Sequence, residues 1–253
     1  MLNLLHGDCL DLMKQLDNDI IDLTVTSPPY DNLRTYNGFT FDFEGIATEL
    51  YRITKPGGVI VWIVGDATIN GSETGTSFKQ ALYFKDIGFN LHDTMIYKKL
   101  NVPPSVNFLH HRYEQEFEFM FILSKGKPKT FNCIRVPKIY QDKREKANGH
   151  RKKDGSFTTL TFSKNTDKVK RNIWEYVTSG GNSDKIASKH PATFPEKLAY
   201  DHIISWSNEK DTVLDCFMGS GTTGKIAKQL NRNFIGMEIS QEYIDIATVR
   251  INS

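Results

Sequence analysis

The segment Thr26-Ser-Pro-Pro-Tyr30 has the composition needed to hold an amino group in a fixed position. Two successive prolines fix two backbone φ angles and stiffen the chain. Such a ledge can aim the Ser27 hydroxyl oxygen and the Pro28 carbonyl oxygen at one amine, while Tyr30 offers a flat face for an extruded base. The amine of cytosine or adenine is a poor nucleophile because its lone pair is delocalised into the ring. Two acceptors on its hydrogens would draw that lone pair out of conjugation.

Ser27, Pro28, Pro29 and Tyr30 are therefore the candidate catalytic residues. An ordinary Ser-Pro-Pro turn followed by a core tyrosine is the structural alternative for these residues. The motif directly follows an apolar run, and the carboxyl ends of parallel strands are where open α/β sheets bind their ligands.

A glycine-rich segment from Asp215 to Gly224 contains the pattern G-x-G-x-x-G. After a strand and before a helix, this pattern is typical of a nucleotide-cofactor loop, and Glu238 could accept hydrogen bonds from ribose hydroxyls. Asp215 at the strand tip would repel a pyrophosphate but attract an ammonium or sulfonium group. The loop also lies near the end of the chain, whereas a dinucleotide fold usually begins with it. Both features favour a cationic cofactor over a nicotinamide, and a plain tight turn is the remaining alternative.

The charge is unevenly distributed along the chain. Residues 125–172 hold 15 Lys and Arg against 4 Asp and Glu, a net +11, so a chain of net charge +2 carries −9 elsewhere. This asymmetry indicates a basic module that meets a polyanion, attached to a body with another task. A solvated surface loop would give the same composition.

The cysteines and the beginning of the sequence point to a cytoplasmic protein. The three cysteines are widely separated and form no C-x-x-C pair, so we expect neither disulfides nor a metal site. The segment Met1–Gln15 lacks a basic start followed by an apolar run, and no stretch is long and apolar enough to span a membrane.

Apolar runs that alternate with amphipathic segments predict the elements that position these motifs. The predicted strands are 20–25, 59–64, 118–123, 212–217 and 233–239. We expect helices from Phe43 to Ile53, over 194–206 with Thr193 and Glu196 as a capping box, and from Ser240 onward. Strand–helix alternation predicts a doubly wound, mostly parallel α/β sheet. It breaks at about 125–180, where an insertion is expected.

Taken together, the motifs resemble the β group of amino DNA methyltransferases, in which S-P-P-Y precedes the glycine motif. The resemblance covers most of the chain. Six further segments match the family's motifs in order: His6–Cys9, Leu50–Trp62, Phe117–Gly126, His190–Leu198, Asp215–Gly224 and Gly236–Glu238.

The resemblance implies direct methyl transfer from S-adenosylmethionine to a flipped base, without a metal or a covalent enzyme intermediate. It implies a catalytic domain of residues 1–126 and 186–253 with a Rossmann-like methyltransferase sheet, and a target-recognition region at 127–185. It also indicates residues around the cofactor: Asp8, Phe194, Asp215, Phe217, Gly219, Ser220, Gly221, Thr222 and Glu238. Candidate contacts to double-stranded DNA are Arg34, Arg151, Lys152 and Lys153.

Ser27 favours N4 of cytosine as the target, because aspartate is more usual in adenine-directed members of the family. N6 of adenine is the near alternative. RNA or protein-glutamine methylation, a nicotinamide-dependent oxidoreductase and a catalytically silent DNA-binding module are more distant. As further partners, the family suggests a homodimer and a cognate restriction endonuclease.

Overall fold

A computed structural model describes residues 1–29, 41–102, 111–139, 146–161, 165–178 and 194–252. Two of the candidate site residues, Tyr30 and Arg34, lie outside the described residues, as does Thr193. None of the described helices combines the length and apolar character that a bilayer crossing requires.

The strands and helices follow one another along the chain. They are β1 (Leu2–His6), α1 (Cys9–Met13), β2 (Ile21–Thr26), α2 (Phe43–Ile53), β3 (Thr54–Val64), β4 (Thr68–Ile69), β5 (Ser72–Glu73), α3 (Thr76–Asp86), β6 (Asn90–Lys99), β7 (Phe117–Ser124), β8 (Arg135–Pro137), β9 (Lys146–Arg151), β10 (Phe157–Thr161), β11 (Asp167–Val169), β12 (Ile173–Tyr176), α4 (Glu196–Trp206), β13 (Thr212–Asp215), α5 (Thr222–Gln229), β14 (Asn233–Glu238) and α6 (Gln241–Asn252).

Within the described residues, eight strands form one mixed sheet in the order β1-β14-β13-β2-β3-β7-β6-β12. Strand β7 runs antiparallel to both of its neighbours, and the other adjacent pairs are parallel. The predicted doubly wound, mostly parallel α/β fold is confirmed. The carboxyl ends of β1, β14, β13 and β2 consequently lie side by side at one edge of the sheet.

The core lies on both faces of this sheet. Ile60, Trp62 and Val64 of β3 pack in a cluster with residues of α1, α2 and α3. The alternate residues Val61 and Ile63 are equally buried but outside that cluster. Side chains alternate between the faces of a strand, so both faces are covered. This burial explains why β3 is a continuous apolar run in the sequence.

The five predicted strands are present with shifts of a few residues at their ends, the largest at the start of β3. Strand β13 ends at Asp215, two residues earlier than predicted. The glycine-rich residues that follow, up to Gly224, are called the glycine loop. Helix α2 spans Phe43–Ile53 as predicted, and the Asp42 carboxylate caps it by accepting a hydrogen bond from the Gly45 amide at 3.0 Å.

The predicted capping box at the start of α4 is wrong. Pro195 takes the N-cap position and makes no side-chain cap hydrogen bond. The Glu196 carboxylate instead accepts hydrogen bonds from Lys225 at 2.7 Å and Arg250 at 3.2 Å. The Glu196 side chain therefore binds two cations, on α5 and α6, instead of the backbone at the start of its own helix.

The described chain divides into two compact units, and the smaller one covers Cys133–Arg171. It contains two short antiparallel pairs, β8 with β11 and β9 with β10. Its limits fall inside the interval 127–185 that the family resemblance assigns to target recognition. The following strand β12 belongs to the larger unit, where Trp174 is 5% exposed and stacks on His202 with ring centroids 4.7 Å apart.

Candidate active site

One buried hydrogen bond joins the two motifs singled out from the sequence. Thr26, the last residue of β2, donates from its hydroxyl to Asp215 Oδ1 at 2.7 Å, and Asp215 is the last residue of the adjacent strand β13. The Ser-Pro-Pro segment begins directly after Thr26, and the glycine loop begins directly after Asp215. Segments separated by 189 positions in the chain thus meet at the same edge of the sheet.

Asp215 is a carboxyl group buried at the centre of this edge, with 1% of its surface exposed. The pKa of Asp215 is raised from its ordinary value near 3.8 to about 6, mainly because the carboxyl group is buried and to a smaller extent because the Glu238 carboxylate is nearby. Hydrogen bonds from Thr26, from the Thr223 hydroxyl at 2.7 Å and from the Phe217 amide at 3.2 Å act in the opposite direction. The site therefore holds a negative charge that lacks a cationic partner among these contacts.

The candidate catalytic residues continue β2 beyond its last hydrogen-bonded pair. Pro28 is buried, and Ser27 and Pro29 are partly exposed. Since they follow Thr26, they lie next to the start of the glycine loop. The geometry brings the proposed amine-binding segment and the proposed cofactor loop together at adjacent strand ends.

The glycine loop requires glycine for two separate reasons. Gly219 and Gly221 have φ angles of 51° and 82°, in the left-handed region that strains other residues. At Gly221 a side chain would also bring its Cβ within 2.9 Å of the Ala247 Cβ on α6. The loop thus turns sharply and lies directly against the last helix.

The hydroxyl groups of the loop face a buried arginine. Arg250 of α6, 2% exposed, donates from Nη1 to the Ser220 carbonyl oxygen at 2.6 Å, to Ser220 Oγ at 2.9 Å and to Thr222 Oγ1 at 3.3 Å. Ser220 and Thr222, both candidate cofactor-binding residues, therefore use their side chains to fix the loop.

Glu238 ends β14 and holds the loop from the other side. Its Oε2 accepts a hydrogen bond from the Gly219 amide and its Oε1 from the Ser240 amide, each at 2.9 Å. Burial raises the pKa of Glu238, and these backbone donors lower it. A carboxylate offers about four acceptor positions. Acceptor capacity therefore remains for a further donor, such as a hydroxyl group.

The remaining candidate cofactor residues surround this edge to different extents. Asp8 is exposed and caps α1 by accepting from the Leu10 amide at 2.8 Å, while β1, which precedes it, pairs with β14. The Phe217 ring makes edge contacts with Phe41 at 5.7 Å and with Trp62 at 6.3 Å between centroids. Phe194 is partly exposed just before α4.

Comparison with known proteins agrees with this architecture. The sequence profile of the DNA methylase family, which covers N6 and N4 methyltransferases, matches residues 21–249. The chain belongs to this family. It is a DNA methyltransferase of the N4/N6 type.

Two curated relatives illustrate how far the similarity to this DNA methylase extends. Orphan methyltransferase M.BamHII of Bacillus amyloliquefaciens is 57% identical over 241 residues, which cover 92% of this chain and 89% of that protein. Type II methyltransferase M.HinfI of Haemophilus influenzae is 30% identical over 273 residues, which cover 98% of this chain and 67% of the relative.

Solved structures show the same fold. A crystal structure of an M1.HpyAVI–SAM complex is 26% identical, has a TM-score of 0.68 and covers 100% of both chains. The PvuII cytosine-N4-specific DNA methyltransferase is 22% identical with a TM-score of 0.73, and the match covers 98% of this chain and 86% of the other.

Sequence analysis did not single out three of the described residues that contact this site, namely Thr26, Thr223 and Arg250. A threonine is common in a strand or in the first turn of a helix, so neither threonine stands out. Arg250 did carry a signal, because it lies three residues after Ala247 on the apolar stripe of α6, where a charged residue is unexpected.

The hydrogen bonds to Asp215 predict a pH-dependent effect of Thr223→Val. The variant preserves shape but removes one donor to a buried carboxylate, so at pH 8 it should lower the free energy of unfolding by about 1.5–3 kcal/mol. Because the folded pKa of about 6 exceeds the ordinary 3.8, Asp215 is largely protonated in the folded protein at pH 5. The loss should therefore be smaller at pH 5.

Urea denaturation at both pH values measures this difference. Thr248→Val is the matched control, since Thr248 donates only within α6, at 2.7 Å to the Ile244 carbonyl, and it should cost under about 0.5 kcal/mol at either pH. Equal losses for Thr223→Val and the control would contradict the assigned role of Asp215.

Proposed function

We propose that this chain is a site-specific DNA methyltransferase that transfers a methyl group from S-adenosylmethionine to N4 of a flipped cytosine. The observation that carries the proposal is the Thr26–Asp215 hydrogen bond, because it ties the amine-binding segment to the cofactor loop at one sheet edge. A methyl donor and an amine acceptor held at these two segments would be neighbours.

The residues at the edge fit S-adenosylmethionine chemically. Asp215 supplies a buried negative charge suited to an ammonium or sulfonium group. Glu238 retains acceptor capacity for a ribose hydroxyl, and the left-handed Gly219 and Gly221 let the backbone approach a ligand closely. The aromatic edge of Phe217 contributes an apolar wall. When bound, S-adenosylmethionine supplies an electrophilic methyl group on its sulfonium.

A structural neighbour supports the same cofactor. The M1.HpyAVI structure, which covers the whole chain, is a complex with SAM. In our proposal Asp8 and Phe194 complete the cofactor site, while Ser220 and Thr222 contribute mainly by shaping the loop. A nicotinamide cofactor is disfavoured because Asp215 would meet its pyrophosphate with a like charge.

Ser27 and Pro28 provide the acceptors for the reacting amine. The Ser27 oxygen accepts a hydrogen bond from one amine N–H and the Pro28 carbonyl accepts one from the other, so the nitrogen lone pair turns toward the incoming methyl group. As the new N–C bond forms, the bond between sulfur and the methyl group breaks and the nitrogen releases one proton. Pro29 keeps the segment rigid, and Tyr30 stacks on the base. A neutral serine oxygen polarises the amine without placing a formal charge beside the base. The same geometry could hold adenine, and the preference for cytosine comes from the serine at the head of the motif.

The smaller unit supplies the proposed DNA contact. Its hairpin β9–β10 has a tight turn in which the Asp154 carboxylate accepts from the Ser156 amide at 2.9 Å and the Lys152 amide donates to the Ser156 carbonyl at 2.7 Å. Arg151, Lys152 and Lys153 are exposed at this turn. A two-stranded ribbon fits the major groove of B-DNA, and a basic tip would neutralise phosphates. We assign target recognition to this part of the interval 127–185.

Two partner predictions extend this proposal. One relative is named an orphan methyltransferase and the other a type II methyltransferase. These names describe two different settings, so a cognate restriction endonuclease stays a prediction for this chain. A homodimer likewise stays a prediction drawn from the family.

Ser27→Ala should leave the affinity for S-adenosylmethionine unchanged while lowering turnover, because in this proposal the Ser27 hydroxyl contacts the reacting amine and not the cofactor. Loss of one such hydrogen bond would reduce kcat by about ten- to a hundredfold. Calorimetry measures the affinity, and digestion of the modified DNA to nucleosides with mass spectrometry identifies the product. We expect N4-methylcytosine. N6-methyladenine alone would exclude cytosine as the target but preserve the fold and the amine-binding mechanism.

A second prediction concerns DNA affinity. If Arg151, Lys152 and Lys153 bind phosphates, replacing all three with Ala should flatten the dependence of log K on log salt concentration by about 0.9 for each phosphate that is no longer neutralised. The matched control replaces three exposed lysines of the larger unit, which are Lys14 at the C-cap of α1 and Lys79 and Lys85 on α3. An equal change of slope in both triple variants would show that only net charge matters and would contradict the assigned DNA contact.

A further inference from the structure

Arg250 is a buried cation with contacts to two separate segments of the chain. Its Nη1 contacts the glycine loop at Ser220 and Thr222, and its Nη2 donates to Glu196 Oε1 at 3.2 Å. A charged group that is 2% exposed is tolerated only when it is paired and hydrogen-bonded. Both halves of this planar guanidinium are thus used, one by each segment.

The contact with Ser220 fixes the orientation of a peptide group in the loop. Arg250 donates to the Ser220 carbonyl oxygen at 2.6 Å. The amide of the same peptide, on Gly221, donates to the Met218 carbonyl at 2.9 Å. One peptide plane is therefore held at both ends, and it cannot rotate without losing both hydrogen bonds. Glycine at 221 lacks a side chain that would otherwise restrict this rotation, so the external contacts are needed.

The contact with Glu196 connects the loop to a second candidate part of the cofactor site. Glu196 is the first residue of α4, two positions after Phe194. Its Oε1 also accepts from Lys225 of α5 at 2.7 Å. The chain of contacts from the loop through Arg250 to Glu196 ties the backbone that carries Phe194 to the backbone that carries Gly219–Thr222.

We propose that Arg250 is a positioning residue for cofactor binding, which couples the glycine loop to the start of α4. The inference rests on the proposed function, in which both segments contact S-adenosylmethionine. Arg250 reaches the cofactor only through these segments. Its loss therefore weakens binding by letting the loop and the Phe194 segment relax before the cofactor arrives.

Arg250→Lys tests the coupling because it replaces a planar fork, in which each terminal nitrogen binds one segment, with a single ammonium that cannot reproduce this geometry. The variant should raise the KM and the calorimetric Kd for S-adenosylmethionine by about ten- to a hundredfold. With unmodified DNA as substrate, kcat at saturating S-adenosylmethionine should stay within about twofold, because Arg250 touches no reacting atom.

Two further variants separate positioning from general stability. Glu196→Gln keeps an acceptor but removes its charge, so it should raise the same KM less than Arg250→Lys, since neutral hydrogen bonds are about half as strong. Combined with Arg250→Lys, its effect should be smaller than alone. Lys225→Met is the control. It removes the other cation on Glu196 and leaves the contacts of Arg250 in place, so the KM should change by less than about twofold.

Hydrogen exchange of the free protein tests the loop without any cofactor. Arg250→Lys should speed exchange at the Gly221 and Thr222 amides, and Lys225→Met should not. The hydrogen-exchange measurement tests the positioning role even if the wild-type chain fails to bind S-adenosylmethionine. That failure would refute the proposed function and not the effect of Arg250 on the loop. A folded Arg250→Lys protein with unchanged exchange and unchanged KM would overturn the positioning role. So would an increase in the KM for DNA alone. If Arg250→Lys does not fold, an unchanged KM in Glu196→Gln would overturn it.

Discussion

The buried carboxylate of Asp215 is the constraint on which the rest of the site depends. An ionised acid that is 1% exposed must be compensated, and here the compensation comes from Thr26, Thr223 and the loop backbone. These donors lie on β2, α5 and the glycine loop. The cost of burying one charge thus brings together the strand that leads to Ser27 and the loop that follows β13. The pKa of Asp215 nevertheless remains above its ordinary value, because these donors compensate the buried charge only in part. A bound cation would therefore stabilise the carboxylate further.

The glycine loop is fixed from two directions by opposite charges. Glu238 accepts from the Gly219 amide, and Arg250 donates to the Ser220 carbonyl. Both side chains come from the last strand and the last helix, β14 and α6. A loop whose glycines permit many conformations is therefore held in one conformation by the part of the chain that folds against it. Such preorganisation lowers the entropy that ligand binding must overcome.

The sequence was sufficient to predict the central sheet and the order of the motifs along it. Parallel strands that are buried on both faces appear in a sequence as continuous apolar runs. It was insufficient where burial depends on distant partners. Strand β12 is short and alternates exposed with buried residues after a basic segment, so it gave no apolar run. Glu196 fits a capping pattern, yet Arg250 and Lys225 bind its carboxylate. The grouping of Thr26 and Thr223 around Asp215 also depends on tertiary contacts between α5, β2 and β13.

The most direct test of the role of Asp215 is the titration of its carboxyl group, followed by carbon-13 NMR in the free and the cofactor-bound protein. We predict a midpoint of about 6 in the free protein. S-adenosylmethionine should lower that midpoint, because a bound cation favours the charged carboxylate, and cofactor affinity should fall correspondingly below pH 6. A midpoint near the ordinary value of 3.8, or one that the cofactor leaves unchanged, would contradict the central role of this buried acid.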